Sequence, residues 1–329
     1  MRKSLKAFAV VVLVVVCVVM LAACDANAEY YVLGTFLEIK TEGAGGAALA
    51  DEINAFMQET ELAVSTVMEG SDIYAVNAAP VGEAVACRPV TMEIVKEAEY
   101  VYDLTDGAYD PSVFPLVELW GFSPDKFVAG AEGNIPTDED IAATLEKVGF
   151  RKCFSVDYEK GTVTKLVEGA KLDLGGIAKG YAVEKALSEV GKKQKALVNL
   201  GGNIGAANKT YRIGISAPRE YASQYFAVVE LYAGECIATS GDYQRCFIKD
   251  GVRYHHIINP FTGRPADSGV AGASVISSDG ALGDALATAV VVAGTTSADK
   301  WVSATGCSII AVNGDMAVSV FGGRTVECV

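Results

Sequence analysis

Histidine is almost missing from this chain: 329 residues hold two, the neighbours His255 and His256. No cysteines are spaced as CxxC, and no Cys/His cluster has the spacing of a zinc site. Basic residues are also short, 27 against 41 acidic ones. Such a surface repels nucleic acid and anionic lipid, so a nucleic-acid-binding role is excluded. An anionic substrate would need a local positive element or a metal ion. No internal repeat or low-complexity segment follows residue 24.

What is present begins with a leader. Arg2, Lys3 and Lys6 precede the apolar run "AFAVVVLVVVCVVMLAAC". A basic start, an apolar stretch and small residues predict a secretory signal over residues 1–23 that is removed, with an uncleaved membrane anchor as the alternative. "LAAC" resembles the lipobox of bacterial lipoproteins, which makes Cys24 the lipidated first residue of the mature chain. Asp25 then implies retention at the inner membrane. The expected location is extracytoplasmic, anchored through lipid rather than spanning. Without the leader, 24 basic residues face 41 acidic ones, a net charge of −17. Half of the chain is apolar, enough for a large core in one domain over 24–329. Cys87, Cys153, Cys236, Cys246, Cys307 and Cys328 remain. Paired disulfides and buried free thiols are both open.

The patterning is mixed. "ALADEINAFMQETELA" puts Leu49, Ile53, Phe56 and Met57 on one helical face. "TMEIVKEAEYVYDLTDG" reads as a helix from a Thr91 cap to Gly107. "PTDEDIAATLEKVG" opens with Thr137 and Asp140 three apart, close to a capping box. Hairpins are expected at Lys160-Gly161, Asp250-Gly251 and Asn313-Gly314. Hairpins interleaved with helices predict an α+β fold, mostly antiparallel sheet with packed helices.

Four stretches carry chemistry. In "KLDLGGIAKGYAVEKALSEVG", Gly175-Gly176 let a ligand approach the backbone before a helix whose free N–H groups suit phosphate. Lys179 sits in that helix's first turn, where the dipole disfavours a cation, and this suggests an anion nearby. A solvated Lys179 after a plain strand end is the bland alternative. In "SDGALGDALATAVVVAG" the helix is apolar nearly all round except at Asp284 and Thr288, four apart on one face. A buried carboxylate is costly unless paired or bound to metal, and these hard oxygens favour Mg²⁺ or Ca²⁺. Asp284 as a helix cap is the alternative. "IATSGDYQRCF" offers Thr239, Ser240 and Gly241 to phosphate, and His256 can serve as acid, base or donor to a phosphoryl group, or be a satisfied structural imidazole beside the turn. In "DLTDGAYDPSVFPLVELWGF", the aromatics near Gly107 with Asp110 suit a flat heterocycle or a plain core.

In order along the chain, "VSTVMEGSDIYAVN", "TDGAYDPSVFPLVELWGF", "LDLGGIAKGYAVEKA", "LVNLGGNIGA", "ATSGDYQRCF…YHHIINPFTGRP" and "DALATAV" resemble the ApbE-type flavin transferases. The resemblance implies an enzyme that moves FMN from FAD, its substrate, to a threonine of an exported or membrane acceptor flavoprotein and releases AMP. It implies Mg²⁺ held by Asp284, Thr288 and the Gly176 carbonyl. It implies FAD contacts from Ala108, Tyr109, Asp110, Asp173, Lys179, Thr239, Ser240, Gly241 and Ile258, with His256 helping to deprotonate the attacking threonine. Val67 departs from the aromatic common at its place, and Asn259 from an Asp before Pro260. An FAD pyrophosphatase using water, or a lipoprotein that only stores FAD, are the competing readings.

Overall fold

The structure is a computed structural model, and it describes residues 25–133, 135–190, 194–219 and 224–329. Cys24 and the leader lie outside the described residues. Among the described residues, no helix is long and apolar enough to cross a membrane.

Eight strands form the main sheet: 26–32, 35–42, 195–200, 203–207, 236–241, 270–277, 308–313 and 318–321. They lie side by side in the order in which the chain visits them, and every pairing is antiparallel. The helices and three smaller sheets are inserted between these strands, except that the strand Val326–Cys328 of one small sheet follows the last of them. The α+β class read from the hairpins is the observed one. The strand Val270–Ser277 is buried on both faces because each face has a cover. Ala273 and Val275, with Ile309 and Ala311, pack on the side of the helices Pro89–Leu104 and Gly280–Ala293. Ile276, Ile310 and Val312 pack on the other side against Ile213, Phe226 and Val229 of a three-stranded sheet. Alternate residues of one strand thus feed two cores.

The helix Gly46–Val64 buries Leu49, Ile53 and Met57 as its spacing predicts. The helix Asp138–Leu145 is capped by Thr137, which accepts from the Asp140 amide at 3.1 Å. The hairpins at Lys160-Gly161 and Asp250-Gly251 form, the second through Asp250 and Gly251 at φ 52° and 78°, where glycine is favoured. Two local expectations fail. Thr91 is no cap: the helix starts at Pro89, because the Asp72 carboxylate takes the Arg88 amide and the Thr91 hydroxyl, each at 2.6 Å. That helix ends at Leu104, before Gly107. The third hairpin does not turn on Asn313-Gly314 alone. Asn313 ends its strand and its side chain accepts from the Asp315 and Ala317 amides, making a longer loop. The six cysteines are all free thiols.

Candidate active site

Two helices cross at glycines. Ala178–Lys185 and Gly280–Ala293 meet where a Cβ on Gly180 would lie 2.0 Å from the Gly280 carbonyl oxygen, and one on Gly280 2.3 Å from that of Gly180. Only glycine allows this approach. It brings the Gly180 amide to Asp284 Oδ2 at 3.1 Å. Asp284 is not the cap of its helix; Asp279 is, accepting from the Leu282 amide at 2.9 Å. Asp284 is 3% exposed, and Lys179 reaches its Oδ2 at 3.5 Å while donating to the Gly175 carbonyl. The anion that Lys179 called for is therefore this carboxylate.

Thr288 lies one turn on, and its hydroxyl shares a 3.1 Å hydrogen bond with Ser240. The strand Cys236–Gly241 alternates, so Thr239 points to the other face and bonds Ser274 at 2.8 Å. Gly241 sits beneath the Tyr243 ring. Gly176 lies beside Thr288: a Cβ there would be 3.6 Å from the threonine Oγ1 and 3.5 Å from the Tyr109 ring. The turn before it is pinned from afar. Asn77 clamps Leu172 through two hydrogen bonds of 2.7 and 2.8 Å, and Asp173 accepts from the Gly175 amide at 2.7 Å.

These groups open into a cleft of about 660 Å³. Ala108, Tyr109, Asp110, Asp173, Gly176, Lys179, Thr239, Ser240, His256, Ile258, Asp284 and Thr288 all line it; Gly241 does not. The Asp110 carboxylate is occupied by Ser112, whose amide and hydroxyl bind it at 2.8 and 2.6 Å. Burial pushes this carboxyl up, against the pull of those bonds. The Tyr109 hydroxyl is buried without a protein partner, and burial together with Asp173, Asp284 and Asp110 raises it well above the usual phenol range. It stays protonated and has a hydrogen to donate.

His256 directly follows the hairpin 246–255, its amide bonded to the Arg245 carbonyl at 3.0 Å. Burial, then Arg245 and His255, hold its imidazole well below the ordinary range, and its Nδ1 has no partner. A neutral ring with a bare nitrogen can take a proton. His255 is structural: its Nε2 donates to the Ala266 carbonyl at 2.9 Å, and burial lowers it too. The following turn is closed by Asn259, whose side chain accepts from the Phe261 and Thr262 amides at 2.9 and 3.2 Å.

Sequence reading gave no role to two residues that matter here. Asn77 positions the Asp173 turn across 95 residues of chain, and nothing local betrays that. Arg245 lines the cleft as an exposed guanidinium, one of two cations among four carboxylates (Glu61, Asp110, Asp173 and Asp284). Its signal was available, since basic residues are scarce and this one stands beside the Thr239–Gly241 stretch. Among the described residues no three His, Cys, Asp or Glu side chains cluster to hold a metal.

A sequence model of the ApbE family matches residues 33–311. The chain is 32% identical over 292 residues to the FAD:protein FMN transferase of Vibrio cholerae, covering 84% of this chain and 85% of that one. It is 30% identical over 290 residues to the enzyme of the same name from Treponema pallidum, covering 80% and 77%. Among solved structures it is similar to the ApbE protein of Thermotoga maritima, with a TM-score of 0.80, 32% identity and coverage of 90% and 96%. It is similar also to the flavin transferase ApbE of Vibrio cholerae, with a TM-score of 0.77, 29% identity and coverage of 91% and 97%.

Proposed function

The chain belongs to the ApbE family and is an FAD:protein FMN transferase; from that premise we propose that it uses Mg²⁺, targets a threonine hydroxyl and releases AMP. The observation that carries the metal is Asp284, buried beside Thr288 and Gly176 in a cleft with more carboxylates than cations. A diphosphate entering such a cleft meets net negative charge, which a dication would offset. Carboxylate, hydroxyl and carbonyl are the hard oxygens that Mg²⁺ takes, so the donors of Asp284, Thr288 and Gly176 fit it. When bound, the ion supplies charge neutralisation on the diphosphate.

The chain's own residues do the rest. Tyr109, with a free hydroxyl hydrogen, donates to the substrate. Arg245 and Lys179 bring positive charge to the cleft. The neutral His256 ring accepts the proton of the acceptor threonine as its oxygen attacks the phosphorus on the riboflavin side. The bond to the AMP phosphate breaks, and AMP leaves with the bonding pair. FMN stays on the acceptor through a phosphoester. The acceptor is an exported or membrane flavoprotein, and the enzyme works outside the cytoplasm, lipid-anchored at Cys24 to the inner membrane.

Mass spectrometry tests this directly. An exported acceptor domain with its target threonine is incubated with the protein, FAD and Mg²⁺. The expected result is a gain of one FMN that EDTA abolishes. FMN and AMP released with no gain on any acceptor would make the protein a pyrophosphatase instead. For the anchor, a Cys24→Ala variant should leave the membrane fraction; if it stays there, the lipid reading fails.

A further inference from the structure

Lys179 stands where helix electrostatics disfavour it, in the first turn of Ala178–Lys185. What holds it is a pair of oxygens: the Asp284 carboxylate at 3.5 Å and the Gly175 carbonyl. A carboxylate and a glycine carbonyl from this loop are also the kinds of ligand a divalent ion would use here. The Lys179 side chain keeps 24% of its surface exposed, whereas Asp284 keeps 4%. The carboxylate is fixed by its helix and by the Gly180 amide; the ammonium is a compact charge on a flexible four-carbon stem that opens into the cleft.

We propose that Lys179 competes with the divalent cation for Asp284, so that the cation binds the substrate-free protein weakly and binds well once a diphosphate draws the ammonium away. This rests on the reading of Asp284 as a metal ligand. Two cations sharing one buried carboxylate repel each other strongly, because little water screens them. The ion enters only if the ammonium leaves, and the ammonium leaves only for another anion. The substrate's diphosphate is that anion. Linkage then requires the reverse effect, with the cation raising diphosphate affinity by the same factor. The enzyme would thereby load its metal together with its substrate.

The test is Mn²⁺ binding to the full chain without nucleotide, read by electron paramagnetic resonance. Wild type is compared with Lys179→Gln, which removes the charge, and Lys179→Arg, which keeps it. Lys179→Gln should bind Mn²⁺ at least about tenfold more tightly than wild type, Lys179→Arg should stay close to wild type, and adding Asp284→Asn to Lys179→Gln should abolish the gain. A purely structural Lys179 would lower thermal stability on substitution without tightening Mn²⁺ binding. Equal or weaker binding by Lys179→Gln than by wild type overturns the competition and leaves the metal reading intact. If neither wild type nor any variant takes up Mn²⁺, with or without ADP, the metal reading falls, and the competition with it.

Discussion

Asp284 has two neighbours that decide its chemistry, a fixed amide and a movable ammonium. Asp284→Asn keeps the volume and removes the charge, so transfer should drop by about two orders of magnitude or more, as expected for losing several kcal/mol of charge stabilisation. The FMN mass gain measured over time checks this; near-normal transfer would remove Asp284 from the reaction. His256→Ala should slow transfer about 10²- to 10⁴-fold if the ring takes the threonine proton, with FAD binding largely kept. A normal rate would end that role. At this scale the sequence was informative where a residue broke its surroundings. Asp284 stood out because a carboxylate in an apolar helix is costly. Lys179 stood out for the same kind of reason, but its partner came from a segment more than 100 residues away and could not be read. Thr239 and Ser240 are neighbours that offer the same hydroxyl chemistry in the sequence, while strand alternation sends only the Ser240 hydroxyl to Thr288.

The two helices that build the site touch through Gly180 and Gly280, and this crossing is where an element-level change should tell. A methyl on Gly180 would meet the Gly280 carbonyl oxygen at 2.0 Å and the Asp284 Cβ at 2.7 Å. Neither can yield without separating the helices. Gly180→Ala should therefore destabilise the protein by about 1–3 kcal/mol, the usual cost of overpacking. It should also weaken transfer, since the Gly180 amide holds Asp284. Urea denaturation gives the first and the FMN assay the second; an unchanged midpoint would show that the crossing relaxes. The elements themselves were largely legible, because hairpins at Lys160-Gly161 and Asp250-Gly251 and the stripe on Gly46–Val64 are local patterns. The start of Pro89–Leu104 was not, because its cap is the side chain of Asp72 on another helix. Local chemistry shows where a helix can begin, but a cap supplied by the tertiary fold has no local trace.

Across the whole molecule the cleft is closed by segments spread from Tyr31 to Val292, and the meandering sheet brings them together. No single motif shows that convergence, which is why several weak motifs in order said more than any one of them. The same convergence buries His255 and half-buries His256 at one hairpin end, and the global stability should report it. His255 and His256 are both held below the ordinary imidazole range, chiefly by burial. In the unfolded chain each takes a proton near pH 6.5, while in the fold each stays neutral to lower pH. The unfolded state thus binds more protons once the pH drops below about 6.5, so stability is full above that point and falls as the pH is lowered. Each histidine contributes a slope of up to about 1.4 kcal/mol per pH unit in that window. The raised carboxyls of Glu97, Asp110 and Glu184 act with the opposite sign, since acid favours the fold where they are protonated. Their ordinary range lies near pH 4, so the histidines should dominate the first loss. Denaturation curves at pH 7.5, 6.5 and 5.5 would show it, and His255→Asn should flatten the slope by roughly half of the combined effect. An unchanged slope in that variant would mean that His255 carries no share of the acid sensitivity.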